Sequence, residues 1–468
     1  MEEKINEFTK KKRGGFSGKL GFVLAAAGSA VGLGNLWRFP YLTAEYGGGI
    51  FILTYIILTL FLGISLLMLE IGIGRYTGKS VIGAFGTLNK KFKWFGYLCV
   101  IVPLLVVPYY CVIGGWVLKY GVSFVVGSDG LISNSSSFFN NFIGGTAEPL
   151  IYFLIFAFIT VLIVIFGVQK GIERMSKILM PTLAIIALFL MVYVFCLKGS
   201  GKGVKYTLLP DFSKFSFKTV LGALGQMFYS LSIGMCIMIT YGSYMKKDVS
   251  IKSSAIQIGV CDSLFAIVAS LIIIPSVFAC APTTAEAEGM LASPGPGLMF
   301  VQLTEVFGTI KGGRVIGTIF FILVFFAAVT SSVSLVESIV AVLCEGDKMK
   351  RSSACAIVFS VILTLGALSS LGFGVLDGVS INIAGNSKSI LDMFDLLANN
   401  ILLPIVGIMT CVIVGWFVDK KIIPKEIGID KNKTLRGFFN VITKYVAPII
   451  ILIVLVSGLL DMFGVLKI

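Results

Sequence analysis

Asn35, Arg38, Glu70, Asp262, Glu337, Asp392 and Asp395 fall inside or at the ends of long apolar stretches, where an ionisable group is costly unless it has a partner. Thr330, Ser331 and Ser332 form a hydroxyl triplet beside Phe325-Phe326-Ala327-Ala328 in another such stretch. Hydroxyls there can simply bond back to the preceding turn. Taken with the amide and carboxylate groups, they supply hard oxygen donors with no soft ligand, the chemistry of a small hard cation such as sodium. Histidine is absent, so His nucleophilic relays, His metal ligation and His pH switching are excluded. No serine or cysteine has a base in a plausible catalytic pattern, so an enzyme is not expected.

Two glycine-rich segments would position these donors. One reads Ala25-Ala26-Ala27-Gly28-Ser29-Ala30-Val31-Gly32-Leu33-Gly34-Asn35, the other Gly225-Gln226-Met227-Phe228-Tyr229-Ser230-Leu231-Ser232-Ile233-Gly234. Their small residues, at 30–34 and 230–234, recur at matching places in two halves of the chain. Glycine is a poor helix former, about 1 kcal/mol worse than alanine. Close helix packing through small-xxx-small faces is the plain reading. The other is a pair of helices broken at mid-membrane, which survives only where the opened backbone lines a cavity.

The elements around them follow from composition. Of 468 residues, 57% are apolar and 13% charged, and the mean hydropathy is +0.97. A soluble domain carries about 25% charged residues; this is the composition of an all-α polytopic membrane protein. Eleven apolar segments are predicted, at 20–45, 49–75, 95–124, 149–168, 172–197, 219–245, 252–280, 314–344, 353–372, 389–418 and 440–466. The expected organisation is a tail at 1–19, a first repeat of five spans at 20–197, a loop at 198–218, a second repeat at 219–418 with a capping loop at 281–313, a loop at 419–439, and a last span with the C-terminus at 440–468. The net charge of +14 comes from basic residues clustered at span ends, so it reads as topology and not as a nucleic-acid surface. The richer side places the N-terminus in the cytoplasm and the C-terminus outside, in a multi-pass protein of the cell membrane. The basic loop around Lys198–Lys218 strains this assignment. Met1 to Lys19 lacks the apolar run of a signal peptide. The nine cysteines sit singly, as small buried hydrophobes.

With these motifs in view, the chain resembles the neurotransmitter:sodium symporter family, and in particular its bacterial, leucine-transporter-like amino-acid carriers. The resemblance rests on Gly28-Ser29-Ala30-Val31-Gly32-Leu33-Gly34-Asn35-Leu36-Trp37-Arg38-Phe39-Pro40 with Gly47-Gly48-Gly49, on Glu70 to Tyr76, on Gly171-Ile172-Glu173-Arg174 with Met180-Pro181, and on Gly225 to Ser232. It implies a 5+5 inverted repeat with helices 1 and 6 broken at the midplane, and two sodium ions with no organic cofactor. The first sodium would use Ala30, Asn35, Ser230 and Asp262, completed by the substrate carboxylate. The second would use Gly28, Val31, Ala327, Thr330 and Ser331. Ser230 and Asp262 stand where threonine and asparagine are common in the family.

The same resemblance implies a substrate site of Ala30, Leu33, Gly34, Val106, Tyr110, Tyr229, Ser230, Ser232, Met235, Ser331 and Leu335. Leu33 and Gly34 N–H groups and the Tyr110 hydroxyl would hold a carboxylate. Monoamine-carrying relatives have aspartate at the place of Gly32, so glycine implies an amino-acid substrate, and the apolar wall implies a neutral hydrophobic one. Arg38 and Asp395 would be the outer gate with Tyr229 as lid, and Arg13 and Glu345 the inner gate. The expected function is sodium-coupled symport of a large aliphatic or aromatic amino acid into the cell by alternating access. The extra charge of Asp262 is expected to make chloride unnecessary; whether Asp262 also carries a proton back on the empty carrier stays open on sequence alone. A cation channel or an amino-acid sensor of the same fold stays open on sequence alone.

Overall fold

The computed structural model describes residues 14–292, 295–347, 349–383 and 386–463. Among the described residues the regular structure is helical apart from one small antiparallel hairpin, Ile381–Ile383 with Asn386–Lys388, and an isolated bridge between Gly48 and Pro210. Among the described residues, nine helices are long and apolar enough to cross a bilayer, and a bent pair, Lys19–Ala30 with Gly34–Glu45, makes ten. The segment expected at 219–245 is present as two helices, Phe217–Ser230 and Ile237–Ser243, with six non-helical residues between them. Neither piece is long enough alone to span a membrane.

The breaks have local causes. The first helix ends at Ala30, and the chain restarts at 52° to it. In the sixth, Ser232, Gly234 and Cys236 all take positive φ, at 55°, 80° and 64°. For Ser232 and Cys236 that conformation is strained, and it persists because the surroundings hold it. Glu70 from the second span does part of this work: its carboxylate accepts the Gly234 N–H at 2.7 Å.

The core lies around these breaks. The third and eighth spans, Lys93–Val126 and Gly313–Leu343, are the most enclosed, while Lys433–Met462 and the fifth span lie at the periphery. Their exposed Ile, Leu and Phe side chains need lipid, not water, around them. The segment at 281–313 forms two short helical pieces, Thr284–Leu291 and 298–309, whose Leu298, Met299 and Phe300 are buried. The loop expected at 198–218 carries a helix, Ser200–Leu208, and that at 419–439 carries Ile422–Ile427 and the start of Lys433–Val441. The last span therefore begins several residues earlier than the apolar run predicts.

Candidate functional site

A chamber lies where the two broken helices face each other. It is lined by Ala30, Leu33, Gly34, Val106, Tyr110, Tyr229, Ser230, Ser232, Met235, Ser331 and Leu335, every residue expected from sequence. Ser29, Gly32, Asn35 and Ile237 complete the lining. No charged side chain faces it among the described residues. Its open volume of about 30 Å³ has room for about two water-sized groups, so a large amino acid must widen it. Tyr229 is the partition: it lines this chamber and two outer cavities of about 190 Å³ each. Its ring lies over Gly34, where an added Cβ would come within 2.6 Å of Cε1.

The restart of the first helix provides the anion-facing end. Tyr110 Oη accepts the Leu33 N–H at 3.3 Å, so the two groups expected to share a carboxylate already meet. Helix N-termini carry unpaired N–H groups and a partial positive charge, which suits an anion. Gln226 Nε2 donates to the Gly34 carbonyl at 3.1 Å, tying the two breaks together.

Beside the chamber, Asp262 is fully buried and takes three hydrogen-bond donors. Asn35 Nδ2 (2.8 Å) and Ser230 Oγ (2.6 Å) donate to Oδ1, and Tyr55 Oη (2.6 Å) donates to Oδ2. Sequence reasoning missed Tyr55. The available signal was a tyrosine in the middle of an apolar run, whose hydroxyl needs a partner once buried. No cationic side chain touches Asp262, and an ionised carboxylate so placed needs a positive partner. Of the expected set, Asn35, Ser230 and Asp262 are joined directly and Ala30 lines the adjoining chamber, with one difference of orientation. Asn35 turns its amide nitrogen to Asp262 while its oxygen accepts the Gly32 N–H at 3.1 Å. To ligate a cation through oxygen, that amide must rotate.

A second oxygen cluster sits on the far side of the break. Ser331 Oγ lies 3.4, 3.1 and 3.4 Å from the carbonyl oxygens of Gly28, Ser29 and Val31. One hydroxyl has one proton, so most of these lone pairs converge on a point without a donor of their own. Thr330 Oγ1 lies 3.0 Å from the Ala327 carbonyl, and a Cβ on Gly28 would be 3.3 Å from Thr330 Cβ. The donor set, four carbonyls and two hydroxyls, fits a hard monovalent cation.

The gates are less symmetrical. Arg38 and Asp395 line one cavity of about 190 Å³ with Tyr229, yet no ion pair joins them among the described residues. Asp395 instead accepts from Asn399 Nδ2 at 2.7 Å, and the Arg38 guanidinium stands 5.4 Å from the Tyr229 ring centre. On the opposite face, Glu345 accepts the Ser80 backbone N–H at 3.0 Å and also the Ser80 hydroxyl. Arg13, its expected partner, lies outside the described residues. That face carries a cavity of about 350 Å³ bordered by Tyr244 and Arg351, and contacts the sequence did not suggest lie around it. Phe16 is buried in an aromatic nest with Phe22, Tyr241 and Tyr244. Ser17 binds Glu173, Tyr244 Oη donates to Glu337 at 2.8 Å, and Arg351 pairs with the same Glu337. None of the nine cysteines, all among the described residues, forms a disulfide.

A sequence model of the sodium:neurotransmitter symporter family matches residues 13–128 and 136–465, nearly the whole chain. The chain belongs to that family. Among its relatives, this symporter chain is 33% identical to YhdH, a sodium-dependent transporter of Bacillus subtilis, over 97% of its own length and 98% of the relative's. It is 32% identical to a sodium-dependent transporter of Haemophilus influenzae, covering 96% and 99% of the two chains. In three dimensions it is similar to the crystal structure of MhsT in complex with L-phenylalanine, with a TM-score of 0.84 and 36% identity over 95% of this chain and 100% of that one. The symporter chain is therefore a polytopic membrane transporter that depends on sodium, and its broken helices are part of a fold seen in a solved relative.

Proposed function

We propose that this protein carries a neutral, hydrophobic amino acid into the cell together with sodium, without chloride, by alternating access. The observation that carries the reading is the uncharged chamber at the two helix breaks, flanked on either side by an oxygen cluster suited to a cation. The substrate carboxylate would meet Leu33, Gly34 and Tyr110, and its amine the acceptors left by the breaks at Ala30, Tyr229 and Ser230 and the Ser232 hydroxyl. Val106, Met235, Ile237 and Leu335 would enclose an apolar side chain. The solved relative with L-phenylalanine supports an aromatic or large aliphatic one.

One sodium would sit between Asn35, Ser230, the Ala30 carbonyl and Asp262, the other among Gly28, Val31, Ala327, Thr330 and Ser331. Each ion offsets the cost of opened backbone, and the first also neutralises Asp262, which supplies the negative charge that chloride would otherwise bring. The N-terminal face is read as cytoplasmic, since the basic span ends cluster there. Arg38, Asp395 and Tyr229 then close the outer path, and Glu345 with the Phe16 nest closes the inner one. Emptied of sodium, Asp262 would take up a proton for the return.

Purified protein in liposomes, with an inward sodium gradient and a panel of radiolabelled amino acids, tests this. Accumulation of phenylalanine or leucine above the external concentration, abolished by replacing sodium with potassium, is expected. Binding without accumulation would indicate a sensor, and downhill flux alone a channel; either result overturns the reading.

A further inference from the structure

The connection between the last two spans carries a feature that transport does not use. Between 419 and 444 stand seven basic residues and three acidic ones. One of the three, Glu426, is already committed, pairing at 2.7 Å with both Arg75 and Lys247. The remainder is strongly positive, with Lys420, Lys421, Lys425, Lys431 and Lys433 exposed.

Within this basic patch a small cleft of about 30 Å³ lies between the end of the tenth span and the start of the eleventh, with Lys420, Asn440, Thr443 and Lys444 on its walls. Thr443 is 3% exposed, and its Oγ1 has no hydrogen-bond partner. A buried hydroxyl is seldom left so, because an unmet polar group costs stability. The volume admits about two atoms of water size, enough for the oxygens of an acidic group but not for a whole headgroup. Asp419 also lines the cleft, with its Oδ1 occupied by the Lys421 N–H at 2.9 Å and lysines on both following positions.

The rim of the cleft identifies the source of that acidic group. Lys444 Nζ rests 4.4 Å from the Trp416 ring centre and 5.1 Å from that of Tyr445. Trp416, Phe417, Phe438 and Tyr445 are 57%, 56%, 42% and 46% exposed, on the peripheral side of the bundle where lipid must lie. Tryptophan and tyrosine with lysine at a span end mark the level of lipid headgroups. A soluble anion would have no use for these rings, whereas an acyl chain covers them.

We propose that this cleft is a binding site for the phosphodiester headgroup of an anionic phospholipid. Its phosphate oxygens meet Thr443 Oγ1 and the Lys420 and Lys444 ammonium groups, and its chains lie against Trp416 and Tyr445. Because the same loop holds Arg75 and Lys247 through Glu426, an occupied site braces the second span and the loop after the sixth on the face that must open.

Native mass spectrometry of the detergent-purified full chain, titrated with phosphatidylglycerol, with phosphatidylcholine of the same chains, and with inorganic phosphate as competitor, tests it. One phosphatidylglycerol should be retained in preference to phosphatidylcholine. Lys420→Gln with Lys444→Gln should weaken it on the order of tenfold, Thr443→Val should weaken it severalfold, and Lys198→Gln with Lys202→Gln on the other face should leave it unchanged. Unaltered retention in Thr443→Val and the double variant, equal binding of phosphatidylcholine, or displacement by inorganic phosphate at the lipid's own concentration would overturn the proposal. If the double variant fails to fold, the isosteric Thr443→Val decides.

Discussion

Gly32 shows how a single missing side chain shapes the chamber. A Cβ there would come within 2.5 Å of Ser331 Oγ and 3.0 Å of Tyr110 Oη, two groups of the expected sodium and carboxylate sites. Gly32→Ala should therefore reduce uptake by displacing Ser331. Gly32→Asp should abolish it, since its carboxylate would face the substrate's own in a poorly screened site. Uptake kinetics of both variants separate size from charge: an alanine variant as inactive as the aspartate one would remove the support for a carboxylate at this position. At Asp262 the question is charge alone. Wild-type uptake should be equal in gluconate and chloride. Asp262→Asn keeps the shape but removes a buried counter-charge, a loss of about 3 kcal/mol or more and so on the order of a hundredfold in sodium activation. Wild-type transport that fails in gluconate would refute the charge-replacement argument.

At the scale of elements, the fifth span is tied to the second oxygen cluster. Pro181 lies inside the helix Arg174–Phe195 and removes one backbone hydrogen bond there. Its neighbour Met180 packs on Gly28, with Sδ 3.3 Å from where a Cβ would stand. Unwinding this turn would loosen the packing over the cluster and admit water from the N-terminal face. Pro181→Ala, by restoring the bond, should slow sodium release to that face severalfold at unchanged outer binding; equal rates of release from loaded liposomes would sink the idea. The helix Ile422–Ile427 acts as a strut on the same face. Burial opposes charge on Glu426, yet hydrogen bonds from Lys247 and Arg75 win and hold its carboxyl below the ordinary value. A depressed value stabilises the closed face above the free carboxylate's pKa of about 4.3 and loses that contribution as pH falls through the folded value. Hydrogen exchange in the loop after the sixth span, expressed relative to the intrinsic amide rate at each pH, should rise on acidification into that range in the wild type, and Glu426→Gln should show the lower protection already at neutral pH.

At the scale of the whole molecule, the chamber meets cavities on one side only among the described residues. On the face away from the N-terminus two cavities of about 190 Å³ reach Tyr229, a wall of the chamber. On the N-terminal face a cavity of about 350 Å³ opens between Gly14, Tyr244 and Arg351 but shares no lining residue with the chamber, and the contacts of Phe16, Glu173, Glu337 and Glu345 lie on that face. One such arrangement on each side in turn is what the proposed alternating access requires. Arg38 and Asp395 line one of those cavities without forming an ion pair, and under the proposed gate they meet when the outer path closes. Arg38→Ala or Asp395→Ala should lower the uptake rate at least tenfold while leaving sodium binding nearly unchanged, since no ion pair between them is present to be lost and neither residue lines the chamber. Normal uptake by both variants would show that they are no gate.

Much of this protein is written locally. Apolar runs of about 20 residues or more fit membrane helices, which satisfy their own backbone in lipid, and are too long for the strands of a closed barrel. Glycine and serine at 28–34 and 230–234 weaken the helix wherever it is placed, so the sequence offered the breaks as one of two readings, while the residues lining the chamber came from the resemblance to the family. What depends on distant partners was not legible. Tyr55 and Asp262 are 207 positions apart, and only packing of the second span on the seventh turns an ordinary apolar tyrosine into a donor for a buried acid. The rotation of Asn35 toward that acid, the gap between Arg38 and Asp395, and the burial of Phe16 against Tyr241 likewise depend on partners far away in the sequence. Side-chain type decides what a residue can bond. Which bond it makes is settled by the neighbour that tertiary packing delivers.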